Sequence, residues 1–158
     1  MNVHAYIDGA NLHKGTLGLG WKLDYARFRI WLTEKYGVTH AYLFLGLVTT
    51  YSNLYNHLVE AGFTLVFKET TYDGQGNIKG NCDALIVLKT VVNFYEHKYD
   101  QAILVSSDGD YAELIDFLSE HNVLRTIISP HNKCSFLLRK RNLPLLYLNT
   151  QRNHLKRP

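Results

Sequence analysis

Short apolar runs alternate along the chain with segments in which apolar positions recur every three or four residues. The runs predict strands over 2–7, 41–48, 64–69, 103–105, 125–129 and 145–148. The periodic segments predict helices over 24–36, 52–60, 81–97, 110–120 and 135–141. Strands that alternate with helices form right-handed βαβ units, so we expect a single three-layer α/β/α domain, Rossmann-like, with a mostly parallel sheet. This domain is expected over residues 1–149, followed by a basic C-terminal tail at 150–158.

Glycines mark two segments that interrupt these patterns. Residues 15–20 contain three glycines and predict a flexible loop, and residues 73–77 predict a turn. The spacing of the first segment differs from GxGxxG, and it does not join a strand directly to a helix, so a phosphate-binding loop is disfavoured.

Polar side chains follow two of the predicted strands. Asp108 and Asp110 come directly after the buried run at 103–105, and Asp8 and Asn11 follow the first strand in the same way. The carboxyl ends of parallel strands are where open α/β folds place their ligands.

The predicted topology brings these two turns together. In doubly wound sheets the fourth strand often lies beside the first, and Asp83 opens the helix that leads to that fourth strand. Carboxylates that share a site repel one another unless a cation lies between them. Hard oxygen ligands suit Mg²⁺ or Mn²⁺, and such an ion can polarise a phosphoryl group and lower the pKa of a bound water.

Each of these carboxylates also has a purely structural interpretation. Asp110 and Glu113 have the spacing of a capping box, and Asp83 lies in a first helical turn, where the helix dipole favours a carboxylate. Asp8 and Asp108 each precede a glycine and are also typical of simple turns. Their joint position at strand ends favours a functional site.

Three ordered motifs resemble the NYN domain, and most closely the LabA-like branch of the PIN-like ribonuclease superfamily. They are YIDGAN at 6–11, KGNCD at 79–83 and LVSSDGDY at 104–111, within a match over roughly 3–148. The resemblance implies a PIN-like fold, an acidic metal site and Mg²⁺- or Mn²⁺-dependent cleavage of RNA. It implies metal ligation by Asp8, Asp83, Asp108 and Asp110, with Asn11 and Ser106 as supporting polar groups.

The sequence departs from the family pattern at a few positions. Lys89 stands where relatives often carry another aspartate, six residues past Asp83. Six residues turn a helix by about 240°, so we expect Lys89 to alter the rim or the surroundings of the metal site without abolishing it. The alternatives are that Lys89 contacts a substrate phosphate or replaces a missing charge in an inactive relative. Ser107 in place of glycine and Tyr111 in place of phenylalanine are expected to matter little.

Charge and composition bear on the partner. The net charge of +3 permits a polyanionic partner without requiring one. Lys79, Lys14 and Lys89 are the candidate substrate-binding residues, with solvated lysines as the alternative. The tail could add sequence-independent attraction to a nucleic acid, or be disordered. The expected partner is RNA, single-stranded or structured, with DNA left open, and the resemblance allows a homodimer.

Other site classes and compartments are less favoured. No apolar run approaches the roughly 20 residues that cross a bilayer, so no membrane partner is expected. Cys82 and Cys134 are the only cysteines, which suits buried thiols and a cytoplasmic location. His131 and Cys134 lack the second pair that a zinc site needs.

Three functions are compatible with these patterns. The first is a metal-dependent endoribonuclease that leaves 5′-phosphate and 3′-hydroxyl ends. The second is a non-catalytic RNA-binding or regulatory adaptor, which Lys89 suggests. The third is a metal-dependent phosphatase of small molecules, although Ala10 occupies the second acidic position of the aspartate nucleophile motif typical of one large phosphatase class.

Overall fold

Strands and helices alternate in the computed structural model, which describes residues 1–47, 49–79 and 81–158. The strands are β1 (Val3–Asp8), β2 (His40–Gly46), β3 (Phe63–Lys68), β4 (Thr71–Tyr72), β5 (Ile78–Lys79), β6 (Gln101–Val105), β7 (Leu124–Ser129) and β8 (Leu145–Tyr147). The α-helices are α1 (Gly9–Gly18), α2 (Tyr25–Tyr36), α3 (Ser52–Glu60), α4 (Asp83–Tyr95), α5 (Ala112–Glu120), α6 (Phe136–Arg139) and α7 (Arg152–Leu155).

Six of the strands form one sheet in the order β3-β2-β1-β6-β7-β8, and every neighbouring pair is parallel. Strand β1 pairs with β2 on one side and β6 on the other, with Ile7 opposite Val105. The direction of strand addition therefore reverses at the junction of β1 and β6, as predicted. Strands β4 and β5 form a separate antiparallel hairpin, of which the sequence predicted only the turn.

Helices cover both faces of this sheet, which confirms the three-layer architecture. Alternate residues of β1 point to opposite faces. On one face Ala5 and Ile7 join a buried cluster with Phe28 of α2. On the other face Tyr6 joins a cluster with Ile86 of α4. Both clusters are fully enclosed, so the sheet is buried on both sides as an all-parallel sheet requires.

The loop predicted at 15–20 is wrong for residues 15–18, which belong to α1. Gly15 is buried, and a Cβ added there would lie 2.7 Å from the Cβ of Pro130. The glycine is needed because helix and loop pack closely, and the low helix propensity of glycine gave the wrong signal. Gly20, with a φ of +84°, lies in the turn after the helix.

Most other element bounds agree with the sequence to within two residues. Helix α2 begins after Asp24, whose side chain caps it, and ends at Gly37 with a φ of +70°. Strand β2 ends at Gly46, short of the predicted end at residue 48, which lies outside the described residues. Within the described parts of the chain, none of the helices combines the length and apolarity needed to cross a membrane.

The last residues of the chain pack against the domain, so the alternative of a disordered tail is wrong. Leu155 of α7 is fully buried in the same cluster as Phe28. Lys156 forms an antiparallel bridge with Leu23, and the Arg157 amide donates to the carbonyl of Lys22 over 2.9 Å. Leu155, the only large apolar residue between 150 and 158, was the signal that the basic composition concealed.

Candidate metal centre

Three carboxylates from two separate elements converge at the carboxyl edge of the sheet. Asp83 is the first residue of α4, and Asp108 and Asp110 lie in the turn that follows β6. One carboxylate oxygen of each lies within 4.8 Å of the others. Asp83 and Asp108 are half-buried and Asp110 is exposed, so the cluster is open to solvent on one side.

Local hydrogen bonds fix the turn that carries Asp108 and Asp110. The buried Ser106 hydroxyl accepts from the Asp108 amide over 3.1 Å. Asp108 Oδ1 in turn accepts from the Asp110 amide over 2.9 Å. Gly109 leaves no room for a side chain, because an added Cβ would collide with the Ser135 hydroxyl. Helix α5 has no side-chain cap, so Asp110 does not form the predicted capping box.

Asn11 joins the two strand ends. Its side-chain oxygen accepts from the backbone amide of Ser107 over 3.0 Å and from the Ser107 hydroxyl over 3.1 Å. The end of β6 is thereby held against the first turn of α1. Serine in place of glycine at 107 supplies one of these two bonds, and that the replacement matters little stays a prediction.

Asp8 lies behind the three-carboxylate cluster and contacts it through Tyr111. Asp8 is 6% exposed, and its Oδ1 accepts from the Asn11 amide over 3.1 Å, which caps α1. The Tyr111 hydroxyl lies 3.1 Å from Asp8 Oδ2 and 3.0 Å from Asp83 Oδ1. Sequence reasoning passed over Tyr111 as a mild change; the signal was its position directly after Asp110.

Asp8 and Asp83 lie in an environment that disfavours their charge. Burial raises the pKa of Asp8, with a further contribution from the charge of Asp108, while hydrogen bonds from Asn11 and Tyr111 offset part of the rise. Burial also raises the pKa of Asp83, and the charges of Asp8, Asp108 and Asp110 add to it. Repulsion within such a cluster is relieved when a cation lies between the carboxylates.

The donor set fits a hard divalent cation. All the converging ligand atoms are carboxylate oxygens, the type that Mg²⁺ and Mn²⁺ prefer, and the open side leaves room for waters or phosphate oxygens. A recess of about 490 Å³ opens between Asp83 and Asp110 along α4. A phosphodiester strand can therefore approach the cluster.

The candidate substrate-binding lysines lie at different distances from this cluster. Lys14 is exposed on α1. The Nζ of Lys89 lies 5.7 Å from the ring centroid of Tyr42. Since a helix rises 1.5 Å per residue, Lys89 is about 9 Å along α4 from Asp83. Lys79 belongs to β5, and its side chain lies outside the described part of the structure.

Comparisons with known proteins agree with the fold and motifs. The sequence profile of the NYN domain matches residues 2–141. Among solved structures, the chain is similar to a protein of unknown function from Vibrio parahaemolyticus RIMD 2210633, with 21% sequence identity and a TM-score of 0.76. The similarity covers 93% of this chain and 92% of that chain, and at this identity it shows the fold alone. The search of curated proteins found no match.

Proposed function

Since the chain belongs to the NYN domain family, a PIN-like nuclease family, we propose that it is a metal-dependent endoribonuclease. The observation that carries the proposal is the convergence of Asp83, Asp108 and Asp110 within 4.8 Å at the carboxyl edge of the sheet. We also propose, from the KGNCD and SSDGDY motifs, that it belongs to the LabA-like branch.

Asp83, Asp108 and Asp110 would hold Mg²⁺ or Mn²⁺. The family resemblance supports Asp8 as a further ligand, and its Oδ2 shares the Tyr111 hydroxyl with Asp83. When bound, such an ion lowers the pKa of an attacking water and polarises the phosphoryl group.

The surrounding residues hold this arrangement before substrate arrives. Asn11 fixes the end of β6 through Ser107, and Ser106 fixes the backbone at Asp108. Pre-positioned groups of this kind reduce the reorganisation needed when charge develops in the transition state.

The proposed reaction adds water across one phosphodiester bond of RNA. The water oxygen joins phosphorus, the bond from phosphorus to O3′ breaks, and a proton ends on O3′. The products are a 5′-phosphate and a 3′-hydroxyl. Acceptance of DNA, assembly as a homodimer and a cytoplasmic location stay predictions.

The test is cleavage of labelled single-stranded and structured RNA with Mn²⁺, Mg²⁺ or EDTA. Wild type is compared with Asp108→Asn and with Asp100→Asn, which makes the same chemical change just before β6, at the opposite edge of the sheet. We expect metal-dependent cleavage that Asp108→Asn abolishes and Asp100→Asn retains. If a folded wild type binds RNA tightly but does not cleave it under any of these conditions, the nuclease proposal is contradicted and the adaptor function is favoured.

A further inference from the structure

A second recess lies on the other face of the sheet, directly behind the start of α1. It has a volume of about 330 Å³ and is bounded by α1, β2, α3 and the end of the chain. Gly9 and Ala10, the two residues after Asp8, form part of its wall. Its size falls in the range of small-ligand pockets, about 300–1,000 Å³. The recess therefore begins within two residues of Asp8, the carboxylate that lies behind the candidate metal centre.

Tyrosine rings line this recess. Tyr51, Tyr55 and Tyr25 contribute to it, and Tyr51 is 53% exposed. Tyr55 packs edge-on against Tyr51 and against Phe67, with ring centroids 6.4 Å and 4.8 Å apart. These contacts hold the Tyr51 ring while leaving half of its surface available. An accessible aromatic face is the feature on which nucleobases stack.

Basic side chains border the same recess. His13 and Arg157 line it, and both are exposed. Burial raises the pKa of Tyr25, and the guanidinium of Arg157 offsets part of that rise, which places the guanidinium beside the ring. Neither His13 nor Arg157 forms an ion pair within the described residues. The Arg157 guanidinium is therefore available to an anionic ligand, with the His13 ring beside it as a hydrogen-bonding group.

A further depression adjoins the recess. A second hollow of about 220 Å³ shares His13, Tyr25 and Arg157 with the recess and extends to Trp21 and Lys22. Among the described residues, none of those that line the two hollows is acidic. Stacking surfaces combined with positive charge match a nucleotide, which presents an apolar base and an anionic phosphate.

We infer that this recess is a binding site for one unpaired nucleotide of a nucleic-acid strand, with the base against Tyr51 and a neighbouring phosphate at Arg157. Gly9 and Ala10, which form part of its wall, directly follow Asp8, so we assign its occupant to the same strand as the nucleotide at the metal centre. A base enters such a pocket only when it leaves its helical stack. The assignment of the strand as RNA substrate rests on the proposed nuclease function, but binding does not require cleavage.

The test is binding of a fluorescent single-stranded RNA 12-mer in EDTA, and separately in Ca²⁺, to the full chain. We expect Tyr51→Ala to weaken binding by about 5- to 150-fold, the range of one base–aromatic stack. Tyr95→Ala is the matched control, since Tyr95 is 63% exposed at the far end of α4. Thermal melts verify that each variant folds.

The contribution of charge is tested separately by Arg157→Gln. Arg125→Gln is the control, because the Arg125 side chain is exposed on β7 near Tyr36. Arg157→Gln should reduce the slope of log affinity against log salt by about 0.7, the value for one phosphate contact on a single strand. Arg125→Gln should leave the slope unchanged.

Three results would overturn the inference: no binding of the 12-mer in either buffer, binding by Tyr51→Ala within twofold of wild type, or equal affinity for a free mononucleotide. Tyr51-dependent binding without cleavage would uphold the site and contradict the nuclease proposal. Metal-dependent cleavage by wild type, together with RNA binding by Tyr51→Ala that matches wild type, would uphold the nuclease proposal and contradict the nucleotide site.

Discussion

The Tyr111 hydroxyl lies 3.0 Å from Asp83 Oδ1, at the point where α4 meets the turn after β6. The same oxygen lies 3.1 Å from Asp8 Oδ2. A hydroxyl carries one hydrogen and can donate it to only one carboxylate at a time. One proton is therefore shared between two carboxylates whose charges already repel, and their alignment depends on Tyr111.

Replacement of Tyr111 by phenylalanine tests this dependence. Hydrogen bonds to charged groups contribute about 1.5–3 kcal/mol, so we expect the free energy of unfolding of the metal-free protein to fall by about that amount. Urea denaturation at pH 7.5 measures it. Tyr147→Phe is the control, since the Tyr147 hydroxyl has no hydrogen-bond partner among the described residues and the ring is half-buried. Equal stability of Tyr111→Phe and wild type would show that the hydroxyl does not stabilise the carboxylates.

Asp83→Asn is expected to stabilise the metal-free protein. The pKa of Asp83 is raised in the folded state, so folding favours the protonated form and the unfolding free energy falls as pH rises through that pKa. A neutral amide removes this penalty at pH 7.5, and the melting temperature should rise by a few degrees. Saturating Mn²⁺ should reverse the order, because only wild type gains the full stabilisation of metal binding. A metal-free variant that melts below wild type would contradict the account; Asp100→Asn is the matched control.

Asn11→Ala tests the link between the two strand ends. The variant loses both bonds from Ser107, so the turn that carries Asp108 is less well positioned. Loss of an orienting residue of this kind typically weakens metal affinity by about 10- to 100-fold. Calorimetric titration with Mn²⁺ measures the change, and Asn132→Ala, on an exposed position, serves for comparison. An affinity within twofold of wild type would mean that Asn11 does not position the ligands.

A buried histidine gives a separate pH dependence. His4 is 2% exposed, and burial, with the charges of His40 and Lys98, lowers its pKa to about 4. Below pH 6.5 the unfolded chain binds a proton that the folded protein does not, so stability falls as pH decreases from 6.5 to 4. The loss at the acid end is about 3 kcal/mol.

The His4 effect is isolated by comparison with His4→Gln. Carboxylates with raised pKa values, such as Asp8 and Asp83, change stability in the opposite direction over part of this range. The difference in unfolding free energy between wild type and His4→Gln should therefore narrow or reverse as pH falls from 6.5 to 4. A difference that stays constant with pH would assign the acid sensitivity to other groups.

Much of the fold was predictable because its signals are local. Apolar runs located all six strands of the main sheet, and the capping residue Asp24 with Gly37 located α2. Gly15 led to the wrong loop prediction because glycine occurs both in flexible loops and where two segments pack closely. Only the position of Pro130 in the folded protein distinguishes the two cases. The hairpin of β4 and β5 has strands of two residues each, which are too short to show the alternation of apolar and polar residues that predicts a strand.

The site was predictable in its carboxylates but not in the contacts between them. Strand-end positions identified Asp108 and Asp110, because parallel strands bring their carboxyl ends to one edge, and Asp83 was identified at the start of the helix that leads to the same strand. The bonds from Tyr111 and Ser107 depend on distances of about 3 Å across segments far apart in sequence. The hydrophobic periodicity of the sequence does not indicate such contacts. The tyrosine-lined recess was not predictable for the same reason, since its lining comes from five separated parts of the chain.

The central claim is that Asp83, Asp108 and Asp110 bind a divalent cation, and titration of Mn²⁺ followed by electron paramagnetic resonance tests it most directly. Free Mn²⁺ gives a strong signal that is lost on binding, so the method reports occupancy without any substrate. We predict that wild type and Asp100→Asn bind Mn²⁺ and that Asp108→Asn binds it at least tenfold more weakly. A folded wild type that leaves the free Mn²⁺ signal unchanged, or Asp108→Asn that binds as wild type does, would contradict the account.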